Sequence, residues 1–199
     1  MMMRFYDEGE PDASQSDTMV IAFGGLQQRI GGGANGGLPP WEFVRSCKRA
    51  GARRALFVRD PTRCWYCRGL GDGQLGNHGP SHTFEEMVAV LAEEVARVRP
   101  RRLVTVGSSM GGYASVRAGL LLGADVAVAF SPQVVLELSA RRAAGLPPVP
   151  IDDNLKWLGL VAACTGVECT SLVHAVQCAP TTCRTRICLL YTSPSPRDS

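Results

Sequence analysis

The residues with the clearest chemical potential are a serine and the small residues around it, in the segment VTVGSSMGG at positions 104–112. Gly107, Ser109 and Gly111 have the spacing of a nucleophile elbow, a sharp strand-to-helix turn that projects the serine hydroxyl above the sheet. Glycines are needed two positions to either side because larger side chains would collide where strand and helix approach. The spacing therefore predicts Ser109 as a nucleophile.

The elements that must position this serine are indicated by the flanking residues. The β-branched run at 103–106 is typical of a strand buried on both faces. Residues 113–122 favour a helix that Gly123 ends, and residues 125–130 favour another buried strand. Strand, turn, helix and strand follow in the order that an elbow requires. The alternative is an ordinary Gly/Ser turn in an α/β protein.

Further strands and helices are predicted on both sides of the elbow. Strands are expected at 18–23 and 53–58, and a helix at 41–50 that ends before Gly51. Thr83 and Glu86 form a capping-box pattern for a second helix. Its apolar stripe, expected in the core, comprises Phe84, Met87, Leu91, Val95 and Val98. These elements predict an α/β fold with a mostly parallel sheet and helices on both faces.

Composition places the chain among ordinary globular proteins. Its 199 residues, 45% of them hydrophobic, suffice for one domain with a core. The net charge of +3 is small and the basic residues are scattered, so no nucleic-acid partner is predicted. No targeting signal follows Met1 and no apolar run reaches membrane length. We therefore expect a cytoplasmic protein without a membrane partner, and the oligomeric state stays open.

Other motifs have weaker chemical interpretations. The glycine run at 31–37 lacks the Lys-Ser/Thr of a phosphate-binding loop and predicts a plain loop. Cys64 and Cys67 have the spacing of a redox or zinc pair, but no second ligand pair accompanies them. The favoured interpretation is a loop whose aromatic residues lie near a pocket mouth, with thiol-based activity as a weaker alternative. His78 and His82 have no metal partner at ligand spacing, so neither a cofactor nor a metal is predicted.

The two ends of the chain differ from the core at 18–163. Residues 1–17 are polar and acidic, and predict an exposed lead-in or a weak edge strand. Residues 141–150 predict a lid-like surface excursion, and residues 171–176 a strand. Residues 164–187 are rich in cysteine, and residues 188–199 resemble the translation of a sequencing adapter. We exclude 188–199 from the predicted fold and expect the native C-terminus to be missing.

Four motifs in order give residues 18–132 a resemblance to the α/β-hydrolase superfamily, closest to its bacterial-type predicted hydrolases. The motifs are Gly25-Leu26, Arg59-Asp60-Pro61 with Trp65-Tyr66, the elbow from Gly107 to Ala114, and Phe130 to Gln133. The resemblance implies attack by Ser109 on an ester, thioester or amide of a small-molecule substrate. It further implies an oxyanion hole formed by the backbone N–H of Met110 and by that of Gly25 or Leu26. The dipole of the helix that follows Ser109 would add to it.

The superfamily order of serine, acid and histidine is not completed within the sequence. His174 is the sole histidine after Ser109 and falls in an expected strand, and Asp125 opens a strand at the wrong edge. The remaining acids after the serine are Glu137, Asp152, Asp153, Glu168 and Asp198. We expect the acid and base to lie beyond the truncation, which would leave this fragment inactive. The alternative is a non-catalytic hydrolase-fold protein that binds a ligand or partner through the same pocket.

Overall fold

The structure, a computed structural model, describes residues 3–7, 17–26, 41–70, 81–136, 142–143, 145 and 171–191. Predictions for the glycine run at 31–37, for His78 and for most of the lid-like excursion concern residues outside these ranges. The same holds for Glu137, Asp152, Asp153, Glu168 and Asp198.

The described strands form a six-stranded sheet in the order β1-β3-β2-β4-β5-β6. Strands β2 to β6 run parallel, and β1 pairs antiparallel with β3 at one edge. The strands are β1 (Met3–Asp7), β2 (Thr18–Phe23), β3 (Arg54–Val58), β4 (Arg102–Ser108), β5 (Val126–Phe130) and β6 (Arg186–Leu190). The helices are α1 (Val44–Arg49), α2 (Phe84–Val98), α3 (Met110–Leu122) and α4 (Leu172–Gln177). Among the described residues, no helix is long and apolar enough to cross a membrane.

Helices cover both faces of the sheet. Side chains alternate between the two faces along a strand, so neighbouring residues of one strand pack against different helices. In β2, Ile21 and Phe23 pack in a cluster with residues of α2, α3 and α4. The residue between them, Ala22, packs in a second cluster with Cys47 of α1. The predicted α/β class, with a mostly parallel sheet between helices, is confirmed.

Helix α2 begins with the predicted cap in a slightly different form. The Thr83 side chain accepts a hydrogen bond from the Glu86 backbone N–H at 3.1 Å. The Glu86 carboxylate reaches back to the backbone N–H of His82 at 2.7 Å, one residue earlier than in a standard capping box. Phe84 and Leu91 of the predicted stripe are fully buried, so this face belongs to the core.

Within the N-terminal lead-in, residues 3–7 form an edge strand, which is the second of the two predicted alternatives. Strand β1 pairs with β3 along its whole length. Arg54 is buried, with 5% of its surface exposed. Its guanidinium lies 2.9 Å from the Asp17 carboxylate and 3.5 Å from that of Asp7. A buried cation between two acids holds the acidic segments against the sheet.

Two predictions for the C-terminal region are wrong. Residues 171–176 were expected to form a strand, but Leu172–Gln177 is the helix α4. Leu172 and Ala175 are three residues apart and both pack on the core, which is the spacing of a helix face. Residues 188–190 were excluded from the fold, yet they form the second half of β6, in parallel register with β5. Their apolar side chains suit a strand; the adapter origin of 188–199 stays a prediction.

Candidate active site at the carboxyl edge of the sheet

Ser109 occupies the turn between β4 and α3 with φ 53° and ψ −116°. A positive φ is uncommon for a residue other than glycine. The Ser109 backbone N–H donates to the Phe130 carbonyl at the end of β5 at 2.8 Å, and its own carbonyl accepts from the Tyr113 N–H at 3.1 Å. These two hydrogen bonds hold the strained turn between the neighbouring strand and the first turn of the helix.

The two elbow glycines leave no room for side chains. A Cβ at Gly107 would lie 2.8 Å from the backbone nitrogen of Gly112 and closer still to the Gly111 carbonyl. A Cβ at Gly111 would lie 2.7 Å from the Gly24 carbonyl oxygen and closer still to that of Phe23. The collisions are with backbone atoms, so no side-chain movement relieves them. The close approach predicted for Gly107 and Gly111 is present.

The candidate oxyanion-hole residues converge on the same edge. Met110 is the first residue of α3 and is fully buried. Gly25 follows β2, which neighbours β4, and a Cβ on it would lie 2.9 Å from the Ser108 carbonyl. Leu26 comes next in the chain. The structure therefore places Met110 at the positive end of the α3 dipole and Gly25 against the elbow, with Leu26 adjacent to Gly25 in the chain. Their role as donors remains a proposal.

Gln133, which the sequence analysis names only as the last residue of the motif from Phe130, contacts the Ser109 side chain. Its Nε2 lies 3.2 Å from Ser109 Oγ. Its Oε1 accepts a hydrogen bond from Trp65 Nε1 at 3.2 Å, and lies 3.5 Å from Ser109 Oγ. Trp65 is separated from Gln133 by 68 residues, so no local pattern indicated the contact.

The loop that carries Trp65 is organised by the buried carboxylate of Asp60, which the sequence analysis named within a motif without assigning it a role. Asp60 is 1% exposed and accepts from the backbone N–H groups of Thr62, Cys64 and Tyr66 at 2.7, 2.8 and 2.9 Å. Burial raises the pKa of Asp60, while the hydrogen bonds from Thr62 and from these N–H groups lower it. Trp65 and Tyr66 have φ of 52° and 61°, so this carboxylate holds an unusual tight turn.

Tyr66 ties the same loop to the sheet. Its hydroxyl lies 2.9 Å from the Gly24 carbonyl oxygen and 3.1 Å from that of Val58, at the ends of β2 and β3. Its ring meets Phe23 edge-on with centroids 5.4 Å apart. Burial, together with the nearby negative charges of Asp60 and Glu42, raises the pKa of Tyr66, so the hydroxyl stays protonated and donates.

Cys64 and Cys67 are buried and not joined by a disulfide. The Cys64 thiol contacts the Thr62 carbonyl at 3.3 Å, and the Cys67 thiol contacts that of Trp65 at 3.6 Å. Burial and the charge of Asp60 raise the pKa of Cys64, which makes the nucleophilic thiolate scarce. These contacts support the loop interpretation over a thiol-based activity. Within the described ranges, no group of three His, Cys, Asp or Glu residues has the arrangement of a metal site.

Of the acids and the histidine that follow Ser109 in the sequence, the structure describes Asp125 and His174. The Asp125 carboxylate accepts from the Leu103 N–H at 2.8 Å, where β4 and β5 begin, so Asp125 lies at the opposite edge from Ser109 as expected. His174 lies on α4 with its ring 3.4 Å from Cys178 Sγ. Glu42 brings an unpredicted carboxylate to the site edge, since a Cβ on Gly25 would lie 3.4 Å from Glu42 Oε1.

The sheet order and the helices on both faces define the class of fold, an α/β-hydrolase fold in incomplete form. No family model matches the chain, and a search of curated proteins gives no significant match. Solved structures do resemble it. A capsule O-acetyltransferase of Neisseria meningitidis serogroup A shares 13% identity over 94% of this chain and 69% of its own, with a TM-score of 0.53.

Two further solved structures resemble the chain at similar distance. An S-formylglutathione hydrolase from Staphylococcus aureus shares 15% identity over 95% of this chain and 71% of its own, with a TM-score of 0.50. A glycosylation-associated protein complex from Streptococcus agalactiae shares 13% identity over 88% of this chain, with a TM-score of 0.52. This chain spans 32% of that last protein's length. At such identities the likeness concerns the fold alone.

Proposed function

We propose that the protein is a serine acyl hydrolase, in which Ser109 Oγ attacks the carbonyl of a small-molecule ester, thioester or amide. The observation that carries the proposal is the backbone of Ser109, at φ 53° and ψ −116° between glycines that leave no room for a Cβ. Such strain persists only where the surrounding structure enforces it, and it concentrates at functional sites. The same geometry is the one that a nucleophile elbow requires.

In the proposed reaction, Ser109 Oγ forms a bond to the acyl carbon while its proton passes to a general base. The negative charge that develops on the carbonyl oxygen is stabilised by the backbone N–H of Met110 and by that of Gly25 or Leu26. Removal of one such donor typically costs about 2.7–4 kcal/mol of transition-state stabilisation. The bond from the acyl carbon to the leaving oxygen, sulfur or nitrogen then breaks, and the leaving group takes the proton from the base. Water, giving up a proton to the same base, attacks the acyl-enzyme, which releases the acid and restores the Ser109 hydroxyl. The general base is unassigned, because the described contacts of the Ser109 hydroxyl are to Gln133.

Covalent labelling with a fluorophosphonate probe tests this proposal. The chain is incubated with the probe both without and with imidazole, which serves as an external general base. Modified residues are located by mass spectrometry of peptides. Ser109→Ala should lose the adduct, because it removes the nucleophile. Ser108→Ala, which changes the adjacent hydroxyl and leaves the elbow unaltered, is the matched control and should label as the unmodified sequence does.

Each outcome of the labelling experiment supports a different interpretation of the site. An adduct at Ser109 without imidazole supports the proposal and shows that the chain holds its own base, against the expected loss of acid and histidine. An adduct that requires imidazole supports the proposal and the expectation that the base is missing. No Ser109 adduct under either condition refutes the serine hydrolase and favours the alternative, a non-catalytic hydrolase-fold binding protein.

A further inference from the structure

We infer that Gln133 is a second catalytic side chain of this site, whose amide donates a hydrogen bond to Ser109 Oγ, and that Trp65 is the positioning residue that sets the direction of that amide. The inference rests on the proposed function of Ser109. It assigns a task to the turn after β5 and to the aromatic loop at 64–67, which the elbow and the candidate oxyanion hole leave unexplained.

The direction of the Gln133 amide follows from its neighbour. An indole N–H donates and cannot accept a hydrogen bond. The end of the amide that lies 3.2 Å from Trp65 Nε1 must therefore be the oxygen. The other end, the NH₂ group, then lies 3.2 Å from Ser109 Oγ as a donor. A serine hydroxyl can donate or accept, so it is compatible with either orientation of the amide. The indole N–H is compatible with only one of them.

The Trp65 indole is itself held in place. Trp65 is fully buried, and its backbone lies in the turn that the Asp60 carboxylate binds through the N–H groups of Cys64 and Tyr66. The Tyr66 hydroxyl fastens that turn to the ends of β2 and β3. The chain of contacts from the buried carboxylate to the serine hydroxyl therefore has little freedom to rearrange. A donor held in place before the reaction requires little reorganisation during it.

A hydrogen-bond donor to Ser109 Oγ stabilises the transition state for attack more than it stabilises the resting enzyme. As Oγ gives up its proton to the base and bonds to the acyl carbon, it carries partial negative charge. A hydrogen bond to a charged oxygen is about twice as strong as one to a neutral oxygen. The Gln133 amide therefore stabilises the transition state over the ground state, which is the condition for a rate effect.

The test compares the second-order rate constants with which the fluorophosphonate probe labels Ser109, in the presence of imidazole, for variants of Gln133 and Trp65. Gln133→Ala should slow labelling about 10- to 100-fold, the effect of losing one hydrogen bond to a charged group. Trp65→Phe should slow it less, since the amide remains but turns freely. The double variant should be no slower than Gln133→Ala, because Trp65 acts through Gln133. Thr83→Ala, a cap substitution on α2, is the control and should label at the original rate.

A second variant and a spectroscopic signal separate catalysis from structure. Gln133→Glu should label slowly at neutral pH, and its rate relative to that of the unsubstituted chain at the same pH should rise as the pH falls, because a carboxylate becomes a donor only when protonated. The ratio is used because imidazole loses its function as a base at low pH in both proteins. The indole N–H resonance of Trp65, assigned by its loss in Trp65→Phe, should move in Gln133→Ala and not in Thr83→Ala. An unchanged labelling rate in Gln133→Ala, with or without a moved resonance, overturns the inference and leaves Ser109 as the nucleophile. No Ser109 adduct in the unsubstituted chain overturns the proposed function and the catalytic role of Gln133 together.

Discussion

Replacement of Gly111 by alanine should destabilise the whole protein, because the added methyl group meets backbone atoms of β2. The new Cβ would lie 2.7 Å from the Gly24 carbonyl oxygen and closer still to that of Phe23. Ordinary carbon-to-oxygen contacts are about 3.3 Å or longer. Strand β2 or helix α3 must therefore shift by roughly 0.6 Å or more, which disturbs the centre of the sheet.

The size of the effect follows from two opposing contributions. Overpacking of a close contact costs about 1–3 kcal/mol, occasionally more. Alanine is a better helix former than glycine by up to about 1 kcal/mol, which offsets part of that cost. We expect Gly111→Ala to lower the free energy of unfolding by about 2 kcal/mol and the melting temperature by about 4–8 °C.

Urea denaturation followed by circular dichroism measures this change, with Gly112→Ala as the matched control. Gly112 lies next in the same helix, and its Cβ would lie 3.2 Å from Pro132 Cβ and 3.3 Å from the Phe130 carbonyl oxygen, contacts that a shift of a few tenths of an ångström relieves. It gains the same helix propensity without the 2.7 Å backbone overlap of Gly111, so its free energy of unfolding should change by less than about 1 kcal/mol. Equal stability of the two variants would refute the argument from close approach.

Two further predictions concern the elements that support the site. Thr83→Ala removes the side chain that accepts from the Glu86 N–H, and should lower the free energy of unfolding in urea by about 1 kcal/mol; an unchanged midpoint would show that the cap is dispensable. Burial raises the pKa of Asp60 above 3.8, so the folded state binds this proton more tightly than the unfolded state does. The resulting stability is present below about pH 4 and is lost as pH rises through the folded pKa. The difference in unfolding free energy between the original chain and Asp60→Asn should therefore shrink from pH 4 to pH 8; growth over that range would mean that the N–H bonds to Asp60 outweigh its burial.

The sequence predicted those features that depend on neighbouring residues. Strand β2 (Thr18–Phe23) has the predicted bounds, because an apolar run that follows Asp17 and ends at two glycines is a local signal. The elbow was found for the same reason, since Gly107, Ser109 and Gly111 lie within five positions. Helix α1 (Val44–Arg49) starts three residues later than the predicted 41–50, because Phe43 has φ 62° and breaks the helical path.

The parts that were not predicted depend on contacts across the fold. The Gln133 amide meets Ser109 across 24 residues and Trp65 across 68, and neither separation leaves a pattern in the sequence. The sequence analysis named Asp60 within a motif. It could not predict that Asp60 accepts hydrogen bonds from the loop that follows, because that depends on the path of the loop backbone. The strand predicted at 171–176 is wrong because the sequence Leu-Val-His-Ala-Val at 172–176 suits a strand or a helix. The observed packing of Leu172 and Ala175 on the core, three residues apart, is that of a helix.

The placement of the site has a consequence for how the molecule folds. Ser109, Gln133 and Trp65 belong to three chain segments that follow β4, β5 and β3, and Tyr66 reaches Gly24 after β2 across 42 residues. Parallel strands meet only after long crossovers close, which makes such assemblies slow to form. The contact between the Trp65 indole and the Gln133 amide can therefore form only when β3 and β5 have both joined the sheet. Its appearance during refolding would report that β3 and β5 have both been added to the sheet, and a chain folded only around β2 and β4 would have the serine without these neighbours.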